Sequence, residues 1–437
     1  MSSSLWVQGG RVIDPGTGTD EVKDLFIHEG RMVEDGAVNR DTCTVVDARD
    51  KLVTPGFWDI HVHLREPGGE AQETIETGSL SAARGGFTRI VAMPNTVPAI
   101  DSAQLVRDVE EKGLAAGHCG VVTSACITMG RAGQVVADLP ALAAAGAVAF
   151  TDDGCTVMDD DVMRRAMEIA QKLNIPVMDH AQDSLLEQQG VMHAGEASAR
   201  FGLPGIPSEA EATIVARDIR LAEETGCHLH IQHVTAKESV TLIRDAMQRG
   251  VHVSGEASPH HLVLTDEDID PANASFKMNP PLRTAADRDA LRAGVTDHSL
   301  AVLATDHAPH TAEAKARGFL HGPFGVLGLE TAIGLTYDVL VQHGSLSLSD
   351  WVSRWTTAPA KALLLPPPSL QCGQPADLSV LDLRTPWTVN ASSFASKSRN
   401  TPFDGWTLNA RAVTTCWGGK LTWVQENSLV RPPASAG

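Results

Sequence analysis

The chain has 437 residues, with 35 Lys or Arg against 54 Asp or Glu, and its formal net charge is −19. Such an acidic chain lacks the basic surface that phosphate contacts require, which excludes an ordinary nucleic-acid binder and a protein held on anionic membranes. The hydrophobic share of 43% and the length allow a large core, which excludes disordered and fibrous proteins.

The sequence shows no targeting or membrane-spanning signal. No apolar run approaches the roughly 18 residues that a membrane span needs, and the first residues, MSSSLWVQGG, lack the pattern of a secretory signal. The seven cysteines are odd in number and form no CxxC pair, which favours a reducing cytoplasm over a disulfide framework. Any metal must then be held by histidine and carboxylate.

Both ends of the chain contain short strand patterns separated by turns. Residues 1–53 hold four such runs between GG, PGTG, EG and DG, and residues 366–437 show the same pattern around Gly and Pro. Neither segment is long enough to build a good sheet core alone. We therefore predict one small β-domain assembled from both termini, enclosing a domain at residues 54–365.

The middle of the chain repeats a short apolar run followed by a helical pattern. The runs are Phe57–His63, Thr88–Met93, Cys119–Ser124, Ala147–Asp152, Ile175–His180, His228–His233, Val251–Glu256 and Ala301–Asp306. Helix starts are marked by Ser102, Asp159 and Thr284 and by a capping box from Ser208 to Glu211. Eight parallel strands alternating with helices predict an α/β fold, a (β/α)8 TIM barrel, with an open doubly wound sheet as the alternative.

Several of these runs end in histidine or aspartate. His61 and His63 share one face of the first strand, because side chains alternate along a strand. That pair alone could be two ordinary histidines, but other strand ends carry Asp152 and Asp153, His180, His233 and Asp306. A barrel brings the carboxyl ends of its strands to one mouth. The set therefore predicts a metal centre there.

Other histidines are weaker candidates. In a regular strand His230 and His233 have opposite parity, so only one of them faces the barrel interior, and we favour His233 as the one nearer the strand end. His260 and His261, in SPHHL, are expected to be packing or loop-fixing residues.

The predicted ligand set indicates a reaction. Imidazole and carboxylate groups can hold two divalent ions that polarise a carbonyl and activate water, and Asp306 is the candidate general acid and base. Arg65, Asn95, Asn279 and His310 follow different strands at the same rim and could complete a pocket for a small anion. These features predict metal-assisted hydrolysis of an amide-like bond, or its reverse.

Longer strings carry a resemblance to a known family. They are PGFWDIHVHLREPG, ETIETGSLSAARGGFTRIVAMPNT, FTDDG, HIQHVTAKESV, SPHHLVLTD, MNPPLR, LATDHAPH, FGVLGLET and KSRNTPF, spread from about residue 10 to residue 422. The chain resembles the class I bacterial dihydroorotases of the amidohydrolase superfamily, which implies a (β/α)8 barrel with a small β-sandwich formed from both termini. That resemblance implies zinc, two ions or one, bound by His61, His63, Asp153, His180, His233 and Asp306. It selects Asp153 over Asp152, a choice that strand parity does not make.

The resemblance also implies a substrate and partners. The expected reaction is the reversible cyclisation of N-carbamoyl-L-aspartate to L-dihydroorotate in pyrimidine biosynthesis. Arg65, Asn95, Asn279 and His310 would contact the substrate, and the backbone from Pro323 to Gly325 would close over it. A homo-oligomer is expected, and association with aspartate transcarbamoylase is open. The alternatives are a hydantoinase or allantoinase and a non-catalytic partner of that transcarbamoylase. Residues 307–322 are a candidate mobile lid.

Overall fold

The computed structural model describes residues 4–344, 346–426 and 430–431. The strands are β1 (Ser4–Asp14), β2 (Thr19–His28), β3 (Arg31–Val33), β4 (Thr44–Asp47), β5 (Leu52–Pro55), β6 (Phe57–Val62), β7 (Phe87–Ala92), β8 (Gly120–Thr123), β9 (Val177–Asp179), β10 (Met192–His193), β11 (Gly205–Ile206), β12 (Leu229–Ile231), β13 (Val253–Ala257), β14 (Val302–Leu303), β15 (Leu378–Asp382), β16 (Trp387–Thr388), β17 (Thr407–Leu408), β18 (Arg411–Trp417), β19 (Lys420–Val424) and β20 (Val430–Arg431).

Helices fill most of the intervals between the parallel strands. They are α1 (Ile75–Gly85), α2 (Ala103–Ala116), α3 (Leu139–Ala144), α4 (Asp160–Leu173), α5 (Ser184–Glu187), α6 (Glu196–Phe201), α7 (Glu209–Thr225), α8 (Lys237–Gln248), α9 (Pro259–Val263), α10 (Ala285–Thr296), α11 (Ala312–Lys315), α12 (Gly318–His321), α13 (Ala332–Thr336), α14 (Leu348–Trp355) and α15 (Thr357–Ala362). In the described part of the chain, none of them combines the length and the apolar composition needed to cross a bilayer.

One sheet draws its strands from both ends of the chain. Its strands run in the order β19-β18-β15-β5-β1-β2-β3, with β4 also paired to β1 and β20 paired to β4. The register joins β5 to β15 in antiparallel fashion, from Leu378 opposite Pro55 to Leu381 opposite Leu52. Buried apolar side chains such as Val12, Ile27 and Val380 form a core for this sheet.

The middle of the chain forms a ring of parallel strand pairs. Strands β6, β7 and β8 pair in chain order, and β9, β12, β13 and β14 do the same. The predicted fourth strand, Ala147–Asp152, is reduced to bridges from Phe150 to Ala125 and Val177. A further parallel bridge from Val62 to His307 joins the last strand position to the first. The predicted α/β fold class is confirmed, and this ring places the carboxyl ends of its strands together.

All four predicted helix starts lie where expected, and three of them are capped by the predicted side chain. The side chains of Ser102, Asp159 and Thr284 accept hydrogen bonds from backbone N–H groups in the first turns of α2, α4 and α10. The predicted capping box at Ser208 is wrong, since its side chain makes no capping bond. The Glu211 carboxylate instead accepts from the amides of residues 235 and 236, because a tertiary partner at the strand end competes with the helix terminus.

Candidate metal centre

Four imidazoles and two carboxylates meet at the carboxyl ends of the ring strands. His61 Nε2 lies 3.3 Å from Asp153 Oδ1, and His63 Nε2 lies 3.0 Å from Asp306 Oδ1. On the other side, His180 Nδ1 lies 2.9 Å from His233 Nε2 and 3.9 Å from Asp153 Oδ1. All six side chains are buried. The structure therefore brings together every residue that was predicted as a metal ligand.

The cluster contains two overlapping groups of three. Ligand atoms of His61, Asp153 and His233 lie within 4.8 Å of one another, as do those of His61, His63 and Asp306. His61 belongs to both groups and so lies at the middle of the cluster.

Two nitrogen atoms in this cluster test whether the residues fit a metal ion. His61 Nε2 and His233 Nδ1 are buried and have no hydrogen-bond partner among the residues that the structure describes. An unsatisfied buried polar atom costs about 1–3 kcal/mol, so native proteins seldom leave one without a reason. Imidazole and carboxylate are ligands of zinc and of similar divalent ions. The donor set and its unsatisfied nitrogens therefore fit a divalent cation.

Glu256 orients the central histidine from behind. Its Oε1 lies 2.6 Å from His61 Nδ1 and accepts from the backbone N–H of His233 at 3.0 Å, while its Oε2 lies 2.9 Å from His230 Nε2. Although burial opposes ionisation, His61 and His230 lower the pKa of Glu256 to about 2. An ionised carboxylate only accepts, so Nδ1 of His61 carries a proton and Nε2 is the nitrogen that faces the cluster.

Asn95 orients a second histidine, His63, in the same way. Asn95 Oδ1 lies 2.9 Å from His63 Nδ1, and Asn95 Nδ2 donates to Asp153 Oδ2 at 3.0 Å. The Asn95 side chain thus contacts two candidate ligands, His63 and Asp153. The sequence analysis predicts a contact with the substrate for the same residue.

Several site residues lie just beyond the ends of their strands with unusual backbone angles. Arg65, His233 and Asp306 have φ values of 60°, 29° and 47°. Left-handed backbone at a non-glycine residue costs about 1–3 kcal/mol and persists where the surroundings enforce it. Because β12 ends at Ile231, the parity argument does not govern His233. His233 lies in the cluster, as the sequence favours, whereas the imidazole of His230 lies 2.8 Å from Ser254 Oγ and 2.9 Å from Glu256 Oε2.

The two neighbouring aspartates at residues 152 and 153 have different environments. Asp152 accepts hydrogen bonds from the backbone N–H and the hydroxyl of Thr128 and so fixes a loop. Asp153 lies among the histidines. For Asp306, burial alone would raise the pKa, but His61 and the hydrogen bond with His63 lower it below its usual range. Asp306 is therefore a carboxylate that can accept a proton.

The residues nominated for an anionic ligand surround this cluster. Arg65 Nε donates to the carbonyl oxygen of Pro309 at 3.2 Å, and its Nη2 lies 3.3 Å from His310 Nε2. Burial lowers the pKa of Arg65 to about 10, so its guanidinium is charged at neutral pH. Burial and the charges of Arg65 and Lys315 lower the pKa of His310 to about 3, so its imidazole is neutral. Asn279 Nδ2 lies 3.4 Å from His180 Nε2.

Some contributors were not foreseen. The sequence analysis predicts Glu256 only as the last residue of a strand and gives it no role at the site. An acidic residue within a buried strand such as Val253–Ala257 is nevertheless a usable signal. Lys315, in the loop after the last ring strand, carried no such signal. His260 and His261 stay close to their predicted packing role: both are buried, and His261 Nε2 lies 2.9 Å from the carbonyl oxygen of Pro280.

The chain is similar to known proteins along most of its length. A family described as Dihydro-orotase-like matches residues 50–239. A dihydroorotase of Bacillus cytotoxicus is 44% identical over 94% of this chain and 97% of that protein. One of Bacillus caldolyticus is 47% identical over 87% and 89%, and one of Halalkalibacterium halodurans is 45% identical over 95% and 97%.

Solved structures share the fold. An L-hydantoinase (dihydropyrimidinase) from Arthrobacter aurescens superposes with a TM-score of 0.85 at 25% identity and covers 99% of both chains. A D-hydantoinase (dihydropyrimidinase) from Thermus sp. gives a TM-score of 0.83 at 22% identity over 98% of this chain and 97% of that one.

Proposed function

The chain belongs to the dihydroorotase family, and from that premise we propose that it is a class I, metal-dependent dihydroorotase. It catalyses the reversible cyclisation of N-carbamoyl-L-aspartate to L-dihydroorotate. The observation that carries this proposal is the match to named dihydroorotases along most of the chain, with the histidine and aspartate cluster present as the proposed reactive centre.

The proposed cofactor is zinc, two ions per chain or one. The residues that would hold it are His61, His63, Asp153, His180, His233 and Asp306. When bound, zinc lowers the pKa of water and polarises a carbonyl group.

Asp306 is the proposed proton carrier. In ring opening, its carboxylate accepts a proton from the water that attacks the ring carbonyl and passes a proton to the nitrogen that leaves. Cyclisation uses the same steps in reverse, as microscopic reversibility requires. Although burial opposes it, His61 and His63 hold the pKa of Asp306 below its usual range, so the side chain is ionised before the proton transfer.

The proposed substrate pocket is formed by the charged and polar groups around the cluster. Arg65 binds the substrate carboxylate, because a guanidinium offers a planar pair of donors that fits a carboxylate. Asn95, Asn279 and His310 orient the ring, and the backbone of Pro323 and Gly325 closes over it. Gly325 fits this role because its N–H donates to the carbonyl oxygen of Lys277 at 2.9 Å, which brings the segment close to the site.

The wider organisation is proposed on the same basis. The closed ring of residues 54–365 is the catalytic (β/α)8 barrel, and residues 1–53 and 366–437 form a β-sandwich, of which 1–3, 427–429 and 432–437 lie outside the described residues. We also propose a cytoplasmic homo-oligomer. An association with aspartate transcarbamoylase stays a prediction.

A ring-opening assay tests the function. Zinc-loaded protein should hydrolyse L-dihydroorotate, lose activity on chelation and regain it with Zn²⁺. The likeness to solved hydantoinases makes a cyclic amidase the second candidate. Turnover of hydantoin or allantoin without turnover of dihydroorotate would select that candidate. No turnover of any of the three by zinc-loaded protein would select the non-catalytic scaffold.

A further inference from the structure

A segment from the carboxyl-terminal part of the chain reaches back to the mouth of the strand ring. It contains the string KSRNTPF, residues 397–403, for which the proposed function has no role. The backbone N–H of Lys397 donates to the Glu73 carboxylate at 3.1 Å, and the Ser398 hydroxyl donates to the carbonyl oxygen of Gln72 at 2.7 Å. These two bonds fasten the segment to the loop between β6 and α1.

Asn400 connects the same segment to a second loop. It is 4% exposed. Its Oδ1 accepts from the backbone N–H of His310 at 3.0 Å, and its Nδ2 donates to the carbonyl oxygens of Ala308 at 2.9 Å and Gly325 at 3.1 Å. The carbonyl oxygen of Asn400 also accepts from the N–H of Leu327 at 3.0 Å. All these partners follow β14, so the segment joins two loops at the mouth of the ring.

The partners determine which way the Asn400 amide group points. An asparagine side chain has one oxygen, which accepts, and two N–H groups, which donate. Here the oxygen faces an N–H, and each N–H of the amide can meet one carbonyl oxygen. The reversed amide would set its donors against the His310 N–H and its oxygen against two carbonyls. A buried amide with three complementary partners is suited to holding backbone rather than binding a ligand.

Asn400 lies where two backbone segments come too close for an ordinary side chain. The N–H of Ala308 donates to the carbonyl oxygen of Val326 at 2.9 Å. Gly325 has a φ of 141°, and a Cβ there would lie 2.7 Å from the carbonyl oxygen of Ala308. Glycine therefore permits the approach, and the amide of Asn400, which donates to both carbonyl oxygens, holds the two segments together.

We propose that Asn400 is a positioning residue: it keeps residues 308–310 and 325–327 in the arrangement that the substrate pocket requires. This inference rests on the proposed function, which places His310 and Gly325 in that pocket. Asn400 bonds to backbone on both sides, so its effect on the substrate is indirect. Its loss lets the two segments separate and misplaces the groups that bind the substrate.

The test compares Asn400→Ala with Asn390→Ala. Asn390 is an exposed asparagine of the same region whose Oδ1 accepts only within its own turn, from the N–H and the hydroxyl of Ser392. In zinc-loaded protein without substrate, peptides covering 306–312 and 323–329 should exchange amide hydrogen at least about tenfold faster in Asn400→Ala and at the wild-type rate in the control. The KM for dihydroorotate should rise about tenfold in Asn400→Ala, with kcat changed less than about threefold.

Asn400→Asp separates the two kinds of bond and replaces Asn400→Ala if that variant does not fold. The aspartate keeps Oδ1 for the His310 N–H and loses both donors to the carbonyl oxygens. Exchange should then be faster in residues 323–329, while the amide of residue 310 stays protected. The rise in KM should be smaller than in Asn400→Ala.

Unchanged exchange in both peptides would overturn the proposal. Faster exchange with an unchanged KM would also overturn it, because Asn400 would then hold the loops without positioning the substrate. Absence of dihydroorotate hydrolysis by wild type would reject the proposed function. The exchange comparison needs no turnover and still decides whether Asn400 holds the two segments, and the KM comparison then uses the cyclic amide that wild type does hydrolyse.

Discussion

Glu256 Oε1 lies 2.6 Å from His61 Nδ1, on the side of the imidazole that faces away from the metal centre. His61 belongs to both groups of three candidate ligands. The same carboxylate meets His230 with its other oxygen. Glu256 thus fixes a proton on Nδ1 of His61. Because Glu256 lies on β13, this contact also connects His61 to that strand.

Replacement of Glu256 by Gln should weaken metal binding. A neutral amide cannot accept from both His61 and His230 as a carboxylate does, so the His61 tautomer is no longer fixed. Loss of such a supporting group typically costs about 10–100-fold in metal affinity. Competition of the metal-free protein with a chromophoric zinc chelator measures this directly. Glu238→Gln, at an exposed acid on α8, is the control, and equal affinities for the two variants would refute the role.

Asp306→Ala should abolish turnover and leave the fold nearly intact. Removal of a general acid and base costs about 10²–10⁴-fold in rate, and the loss of a ligand atom adds to it. The side chain lies at the cluster rather than in the apolar core, so circular dichroism and the thermal midpoint of the metal-free protein should change little. Asp289→Asn, at an exposed ion pair, is the control. Turnover by Asp306→Ala at the wild-type rate would eliminate the proton-transfer mechanism.

Arg65→Lys should impair substrates that carry a carboxylate more than those that lack one. A lysine keeps the charge but loses the paired donors, which costs roughly 1–2 kcal/mol at a bidentate site, or about 5–30-fold in kcat/KM. The measurement is the ratio of kcat/KM for dihydroorotate to that for dihydrouracil, in wild type and variant. A parallel fall for both substrates would show that Arg65 supports the loop through its bond to Pro309 instead.

The sequence predicts residues at the ends of regularly spaced strands. It misses residues whose role depends on partners that are distant in the chain. Apolar runs predict seven of the eight ring strands, while the fourth is reduced to bridges at Phe150. Residues at the strand ends, such as His61 and Asp306, follow from that placement. Glu211 is one example of a missed contact. Its sequence position predicts a capping box with Ser208, but its carboxylate accepts from the backbone N–H of Thr235 instead. Lys315 is another, because three carbonyl acceptors from two loops have no local sequence pattern.

His228 gives a prediction about acid stability away from the metal cluster. Burial, together with His230, His252 and Lys361, lowers its pKa to about 4, whereas an unfolded chain has a histidine pKa of about 6.5. Between these values the unfolded state binds the proton more tightly. The free energy of unfolding therefore falls as the pH drops through 6.5 and levels off below 4.

His228→Gln should remove this contribution. At pH 5 the shift corresponds to about 2 kcal/mol at 1.36 kcal/mol per pKa unit, and partial exposure of the ring reduces the expected effect to about 1 kcal/mol. Urea unfolding of metal-free protein at pH 7.5 and pH 5.0 measures it: the difference between the two free energies should be about 1 kcal/mol smaller in the variant than in wild type. His343→Gln, at an exposed histidine, is the matched control. An equal pH difference in wild type and His228→Gln would mean that His228 does not lose its proton on folding, since the ring would then contribute equally at both pH values.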